Sequence, residues 1–364
     1  MPTVLDWNPT VDPSELVRPI REALAAGLPV VLPGDVGYVV LVNPAAPDAA
    51  KQLEALSKAV ETPPAVLAFG PDDPAKLGLA VSVVARRLMF RAWPAPLVVG
   101  LMAEGVTFPD EWPVAVREYV RAGGRVRFRY PDHPVFDALW SDLAGITLVA
   151  DTLLPTASDV VDRFGDLIGL AISAGEREGG RPTEILATSG GWEIVRKGVF
   201  AADELHKLAA RIVLFVCTGN TCRSPLAEGL AKKMLADRYG CGPADLPARG
   251  VWVLSAGVAT YGGGPVSPLA AEAAAEYGAD LSVHSSRPVN PQLLAAADAV
   301  IAMTRDHAHA LAVRYPGVGP GVQLLCGDDA DLDDPIGAGP EVYRECARTI
   351  LTHLGRFIPE WAGP

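Results

Sequence analysis

A short apolar run, Ile212 to Val216, stops at Cys217, and a helix-like stretch opens soon afterwards at Pro225 (PLAEGLAKKMLADRYG). Only a short polar loop, Thr218 to Ser224, separates them. A buried strand that hands over this quickly to a helix is the opening of a strand–helix crossover unit. The arrangement recurs. Other strand-like runs (LPVVLP, AVIAM) alternate with Ala-rich helical stretches such as SPLAAEAAAEYG. The alternation argues for an α/β chain with mainly parallel strands in both halves. Pro225 suits the first turn of its helix, where the missing N–H is not needed.

With 364 residues the chain has material for roughly two domains. A short helical segment ending in HKLAA and a new buried strand at Ile212 place the boundary near 208, giving units 1–208 and 209–364. No apolar run of about 18 residues appears, so no membrane span is expected. The start, MPTVLDWNPTVDPSEL, is acidic and lacks the basic-then-apolar order of a secretory signal. A net charge of -12 argues against non-specific nucleic-acid or membrane binding by the whole molecule. All five cysteines (217, 222, 241, 326, 346) fall in the second half. An odd number confined there fits a reducing, cytoplasmic setting and a catalytic thiol better than a disulfide framework.

The loop itself has the parts of an anion site. Loop N–H groups and the dipole of the helix that follows converge where the strand ends. Gly219 permits close backbone approach, and Asn220 tolerates a left-handed conformation. The planar fork of Arg223 suits a phosphate. Cys217 sits at the strand end under that anion, where the positive field favours its thiolate as a nucleophile. Ser224 is placed to donate a hydrogen bond to the sulfur. An isolated cysteine five residues before an arginine can be a buried apolar residue beside a surface cation. The flanking strand, the internal Gly-Asn and the Ser-Pro together favour the phosphate site instead.

The stretch CTGNTCRSP resembles the signature loop of the low-molecular-weight protein phosphatases. The likeness continues through VLSAGVAT, GADLSVHSSRPVNPQLLAAADAVIAMTRDHA and DADLDDPIGAGPEVYREC. It implies a four-stranded parallel sheet with flanking helices, a phosphorylated protein as substrate, and phosphoryl transfer through a phosphocysteine. Cys217 would then attack phosphorus in line. The amides of Thr218, Gly219, Asn220, Thr221, Cys222 and Arg223, with the Arg223 side chain, would hold the equatorial oxygens. Asp334, before Pro335, would protonate the leaving group and then activate water. In the acidic run Asp328, Asp329, Asp331, Asp333, Asp334, the residue to weigh against it is Asp333. Cys222 is either a small apolar filler or, as in the family, a reversible disulfide partner of the nucleophile. The chemistry needs no metal or cofactor, and His307 and His309, two apart on an expected helix, do not share a face.

Thr221 bears on the substrate. Tyrosine phosphatases of this family usually have a bulky aliphatic residue there, as in C-x-G-N-I-C-R-S, whereas C-T-G-N-T-C-R-S resembles the protein-arginine phosphatase branch. Threonine opens room beside the phosphate and offers a hydroxyl. Ile336 and Gly337 follow Asp-Pro, so the aromatic wall that flanks a phenyl ring is absent. The expectation is phosphoarginine, with phosphotyrosine as the alternative. Arsenate reduction on the same scaffold needs a cysteine relay in mid-domain, and residues 247–325 contain no cysteine.

The first half carries RAWPAPLVVGL, VRFRYPDHP and WEIVRKG, and residues 12–205 resemble the YrdC/Sua5 family, which makes threonylcarbamoyl-adenylate for tRNA modification. LPVVLPGDVGYVV resembles its P-T-x-T-V-Y-G-L turn, but Gly34 and Val36 replace the threonines while Pro33 and Tyr38 remain. The K-x-R motif keeps Lys58 and has Val60 for arginine. The S-x-N position reads Ala150–Thr152, and the S-T-V position reads Pro182–Glu184. The expectation is the twisted-sheet fold with an eroded synthase site; the alternative is a bifunctional enzyme. Arg125, Arg127 and Arg129 share a strand face. Lys58 and Arg129 are the candidates for a residual anion groove, with a solvated helix residue and a salt-bridged sheet edge as the plainer readings. A residual nucleotide or RNA ligand is the partner left open for this half. Its 19 basic against 27 acidic residues offer no broad nucleic-acid footprint.

Overall fold

The computed structural model describes residues 2–60, 63–143, 147–327 and 330–361. Asp328 and Asp329 of the acidic run lie outside these residues, as does the side chain of Val60. The chain divides into two compact units, residues 1–208 and 209–364. Among the described residues no helix is long and apolar enough to cross a membrane.

The first unit holds strands β1 (Thr3–Asp6), β2 (Val30–Pro33), β3 (Tyr38–Val42), β4 (Ala65–Leu67) and β5 (Leu97–Met102). It continues with β6 (Arg125–Arg129), β7 (Leu148–Asp151), β8 (Leu170–Ser173), β9 (Thr183–Thr188) and β10 (Gly191–Arg196). Between them run helices α1 (Ser14–Ala25), α2 (Ala49–Val60), α3 (Val83–Ala92), α4 (Val114–Val120), α5 (Pro134–Leu143) and α6 (Ala157–Phe164). The strands form one sheet in the order β1-β8-β2-β3-β7-β4-β6-β5-β9-β10. This sheet is mixed, which corrects the expectation of mainly parallel strands for this half. β2–β3, β3–β7, β4–β7, β5–β6 and β9–β10 are antiparallel. Two of these pairs are closed by turns too short for a crossover helix, Gly34–Gly37 and the Ser189–Gly190 turn. β6 also lies inside the sheet, between β4 and β5, and is not an edge.

The second unit follows α7 (Ala202–Ala209). Its sheet contains β11 (Arg211–Cys217), β12 (Val251–Gly257), β13 (Ala299–Ala302) and β14 (Val322–Leu324). The order is β12-β11-β13-β14, and every pair is parallel. Helices α8 (Arg223–Tyr239), α9 (Pro268–Ala275), α10 (Pro291–Ala296), α11 (Arg305–Arg314) and α12 (Pro340–Trp361) complete it. β11 is central, which explains its uninterrupted apolar run: both faces are covered. Val213, Phe215 and Cys217 face a core with Leu226, Leu230 and Ile350, while Ile212, Leu214 and Val216 face one with Leu294 and Leu311. Helix α8 is buried on every side from Arg223 to Ala231. Gly229 lets Leu281 pack close to the helix, since a Cβ would come within 2.3 Å of the end of the Leu281 side chain, which would then have to shift. Gly240, left-handed at φ 60°, ends the helix.

Candidate active site

The site lies where a parallel open sheet places ligands, at the carboxyl ends of its strands. β11 delivers Cys217 there, 3% exposed. The chain then turns through Thr218–Cys222 into α8, whose first residues are Arg223, Ser224 and Pro225. The turn needs Asn220 at φ 56°, the left-handed region that asparagine tolerates.

Asn220 is fully buried and every polar group on it is used. Its backbone N–H donates to Cys217 Sγ at 3.3 Å. Nδ2 donates to Ser224 Oγ at 3.0 Å and to Ser255 Oγ at 2.8 Å. Oδ1 accepts the Arg287 backbone N–H at 2.9 Å, and the carbonyl accepts from His284 Nε2 at 2.9 Å. Ser224 Oγ in turn stands 3.0 Å from Cys217 Sγ. The sulfur therefore rests on two polar contacts within an otherwise apolar strand end. Ser255 passes the network on to Glu228, which pairs with Lys232.

Backbone bonds clamp the loop from outside. Val258 and Ala259 donate to the carbonyls of Cys217 and Thr218 at 2.9 and 3.0 Å, and Ser267 N–H donates to Thr221 O at 2.8 Å. Gly257 makes this approach possible, because a Cβ there would meet Thr218 O at 2.6 Å.

Arg223 is almost fully buried and reaches across to the loop after β14. Its Nη1 donates to Leu332 O at 3.0 Å, and Nη2 pairs with Asp334. Asp334 is 40% exposed, and its Oδ1 accepts the Ile336 N–H at 3.2 Å. A cavity of about 270 Å³ is lined by Cys217, Thr218, Gly219, Thr221, Cys222, Arg223, Asp334 and Ile336. The sequence-derived residues thus meet around one space, with Asn220 and Ser224 buried behind it. Asp333 is exposed and does not line the cavity. Cys222 Sγ faces the Tyr343 hydroxyl at 3.5 Å, and Tyr343 also lies 3.2 Å from Ser267 Oγ.

Sequence reasoning missed four contributors: Gly257, His284, His307 and Tyr343. The two histidines act through contacts distant in sequence. His307 is 5% exposed and lies 2.8 Å from Thr218 Oγ1. Burial, and next the nearby Arg223, hold its imidazole below the ordinary value, which favours the neutral form.

In the first unit neither proposed groove residue is an open cation. Lys58 is exposed on α2 and pairs with Glu54 at 2.7 Å. Arg129 is fully buried, bound to Asp35, to Asp151 at 3.4 Å, and to the carbonyls of Ala95 and Tyr130. Arg125 and Arg127 converge with Arg196 on buried Glu184. The alternating arginines are thus salt-bridged inside the sheet, not solvated at its edge.

Residues 212–361 match the family model described as low molecular weight phosphotyrosine protein phosphatase. Residues 22–198 match the Sua5/YciO/YrdC model, described as telomere recombination. A protein-arginine-phosphatase of Bacillus subtilis is 36% identical over 150 residues, 40% of this chain and 93% of the relative. A probable low molecular weight protein-tyrosine-phosphatase EpsP of Ralstonia solanacearum is 28% identical over 150 residues, 41% of this chain and 94% of the relative. Arsenate reductase 2 of Staphylococcus epidermidis is 35% identical over 147 residues, 40% of this chain and 95% of the relative.

Proposed function

We propose, for a chain that belongs through residues 212–361 to the low-molecular-weight protein phosphatase family, that it hydrolyses phosphoarginine in proteins through a phosphocysteine at Cys217. The observation that carries this reading is the one cavity that Cys217, Arg223, Asp334 and Thr221 share. A phosphoryl group entering it meets the sulfur below, loop amides around it and the guanidinium at its side. Cys217 attacks phosphorus and the P–N bond breaks. The leaving guanidine takes its proton from the Asp334 carboxyl. Asp334, now a carboxylate, accepts a proton from water, the water oxygen bonds to phosphorus, and the S–P bond breaks to release inorganic phosphate. Ser224 and the Asn220 N–H steady the sulfur between the two steps.

Two features favour guanidine over phenol as the leaving group. Thr221 puts a small polar side chain in the cavity, and Ile336, with no aromatic ring beside it, completes the lining. The arginine-phosphatase relatives support the same choice. Arsenate reduction is disfavoured, because residues 247–325 hold no cysteine for a relay.

The test is a comparison of kcat/KM on phosphoarginine and phosphotyrosine peptides of matched sequence, with Cys217→Ser as control. Preference for phosphoarginine, and loss of turnover on both in Cys217→Ser, is the expected result. A preference for phosphotyrosine replaces the arginine reading with the tyrosine one. Turnover that survives Cys217→Ser removes the covalent mechanism altogether.

A further inference from the structure

Thr218 follows the nucleophile, is exposed, and lines the cavity. Its hydroxyl oxygen lies 2.8 Å from Nε2 of His307, a buried residue on α11. On the other side of the ring, Nδ1 lies 2.8 Å from Thr304 Oγ1. Thr304 is the N-cap of α11, and its oxygen already accepts the backbone N–H of His307 at 3.3 Å. A hydroxyl has one proton to give. With the Thr304 oxygen accepting that backbone N–H, full use of the group comes from its O–H donating to Nδ1. The neutral imidazole then carries its proton on Nε2 and donates it to Thr218 Oγ1. Thr218 in turn keeps its own O–H for whatever occupies the cavity.

We propose that His307 is a positioning residue for phosphate recognition: it fixes the Thr218 oxygen through Nε2–H, so that the Thr218 O–H is aimed as a donor at a phosphoryl oxygen above Cys217. The proposal rests on the reading of the Cys217 loop as the phosphate site. It adds a side-chain donor to the loop amides and Arg223, and it makes a buried helix residue part of how the anion is held.

The test is a double-mutant cycle on the full chain, read as the affinity for inorganic phosphate by calorimetry. Thr218→Val removes the hydroxyl at nearly constant shape. One hydrogen bond to a charged oxygen is at stake, so phosphate affinity falls about ten- to a hundredfold. His307→Leu gives a loss of the same size, and the double variant is no weaker than the weaker single one. His307→Gln, whose amide N–H reaches about as far as Nε2, recovers much of the affinity. Losses that multiply in the double variant, no rescue by His307→Gln, or unchanged affinity in either single variant overturn the proposal, since a residue that merely packs α11 behaves so. Should His307→Leu fail to fold, His307→Asn replaces it. That side chain reaches Thr304 but falls short of Thr218, and the same outcomes decide. Failure of the phosphatase reading is seen separately, as turnover that persists in Cys217→Ser.

Discussion

Arg223 and Asp334 are 111 positions apart, yet their side chains meet over the cavity. Asp334 lines the same cavity as Cys217, which is why the proposed mechanism gives it the leaving group's proton. Asp334→Asn keeps the shape and removes the transferable proton. Phenyl phosphates with poor leaving groups are expected to slow by about 10²–10⁴-fold, and those with activated leaving groups far less. Equal slowing of both, read from kcat across a leaving-group series, moves the acid elsewhere, with Asp333 first in line. Thr221→Ile tests the selector. Isoleucine crowds the flat guanidinium and deletes a hydroxyl, whereas a phenyl ring packs against it. One such change is worth roughly 1–3 kcal/mol of discrimination, or about 10–200-fold. Phosphoarginine turnover should fall while phosphotyrosine turnover holds or rises; a parallel response of both substrates removes Thr221 from that role. Cys217, Arg223 and Thr221 were legible because their chemistry is packed into one continuous stretch. His307 and Tyr343 were not, because a lone histidine or tyrosine on a helix reads as a surface or core residue until the fold brings it against the loop.

The strand–loop–helix unit works as an element because its neighbours leave room for it. Gly257, at the end of β12, sits under the loop carbonyls, and its partners Val258 and Ala259 clamp the loop to the sheet. A Cβ at this position would press on Thr218 O at 2.6 Å and on Asn220 N at 3.1 Å, both backbone atoms that cannot rotate away. Gly257→Ala is therefore expected to displace the loop. Overpacking of this kind costs typically about 1–3 kcal/mol in stability. The loss in phosphatase kcat/KM should be larger than that cost, because a shift of about 1 Å in positioning groups lowers rates about 10²-fold. Thermal unfolding and steady-state kinetics on the same preparation separate the two. A stable variant with full activity shows that the loop tolerates the shift. Nothing in GVAT marks this glycine, since its need comes from a loop 39 residues earlier. The alternation Arg-Val-Arg-Phe-Arg in β6 misleads for a related reason. It reads as one wet face, but Glu184, Asp35 and Asp151 arrive from other strands and turns to neutralise the arginines inside the sheet.

At the scale of the whole chain, the two units differ in how they use polar groups. In the second, Cys217, Thr218, Thr221 and Asp334 surround an open cavity. In the first, the groups at or beside the motif positions hydrogen-bond and pair within the protein itself. The Tyr38 hydroxyl donates to Gly175 O at 2.7 Å and accepts the Ala174 N–H at 2.8 Å. Thr152 Oγ1 donates to Tyr38 O at 2.6 Å, and Thr183 Oγ1 accepts the Phe200 N–H at 2.9 Å. Arg129 is held by two carboxylates, and Glu184 by three arginines. A ligand phosphate that took Arg129 would have to break its buried ion pairs, and stripping a partner from such a pair costs about 3–5 kcal/mol. The full chain, given ATP, bicarbonate and threonine, is therefore expected to make no threonylcarbamoyl-adenylate detectable by mass spectrometry. Binding without turnover is tested alongside. A ligand at a hundred times its Kd stabilises the folded state by about 2.7 kcal/mol, which shifts thermal unfolding measurably. ATP should leave the unfolding curve of the full chain unchanged. Product in the first assay restores the bifunctional alternative. A shift in the second without product means that the internal ion pairs yield to a nucleotide, and that this half keeps a binding role on a scaffold that has lost its synthase chemistry.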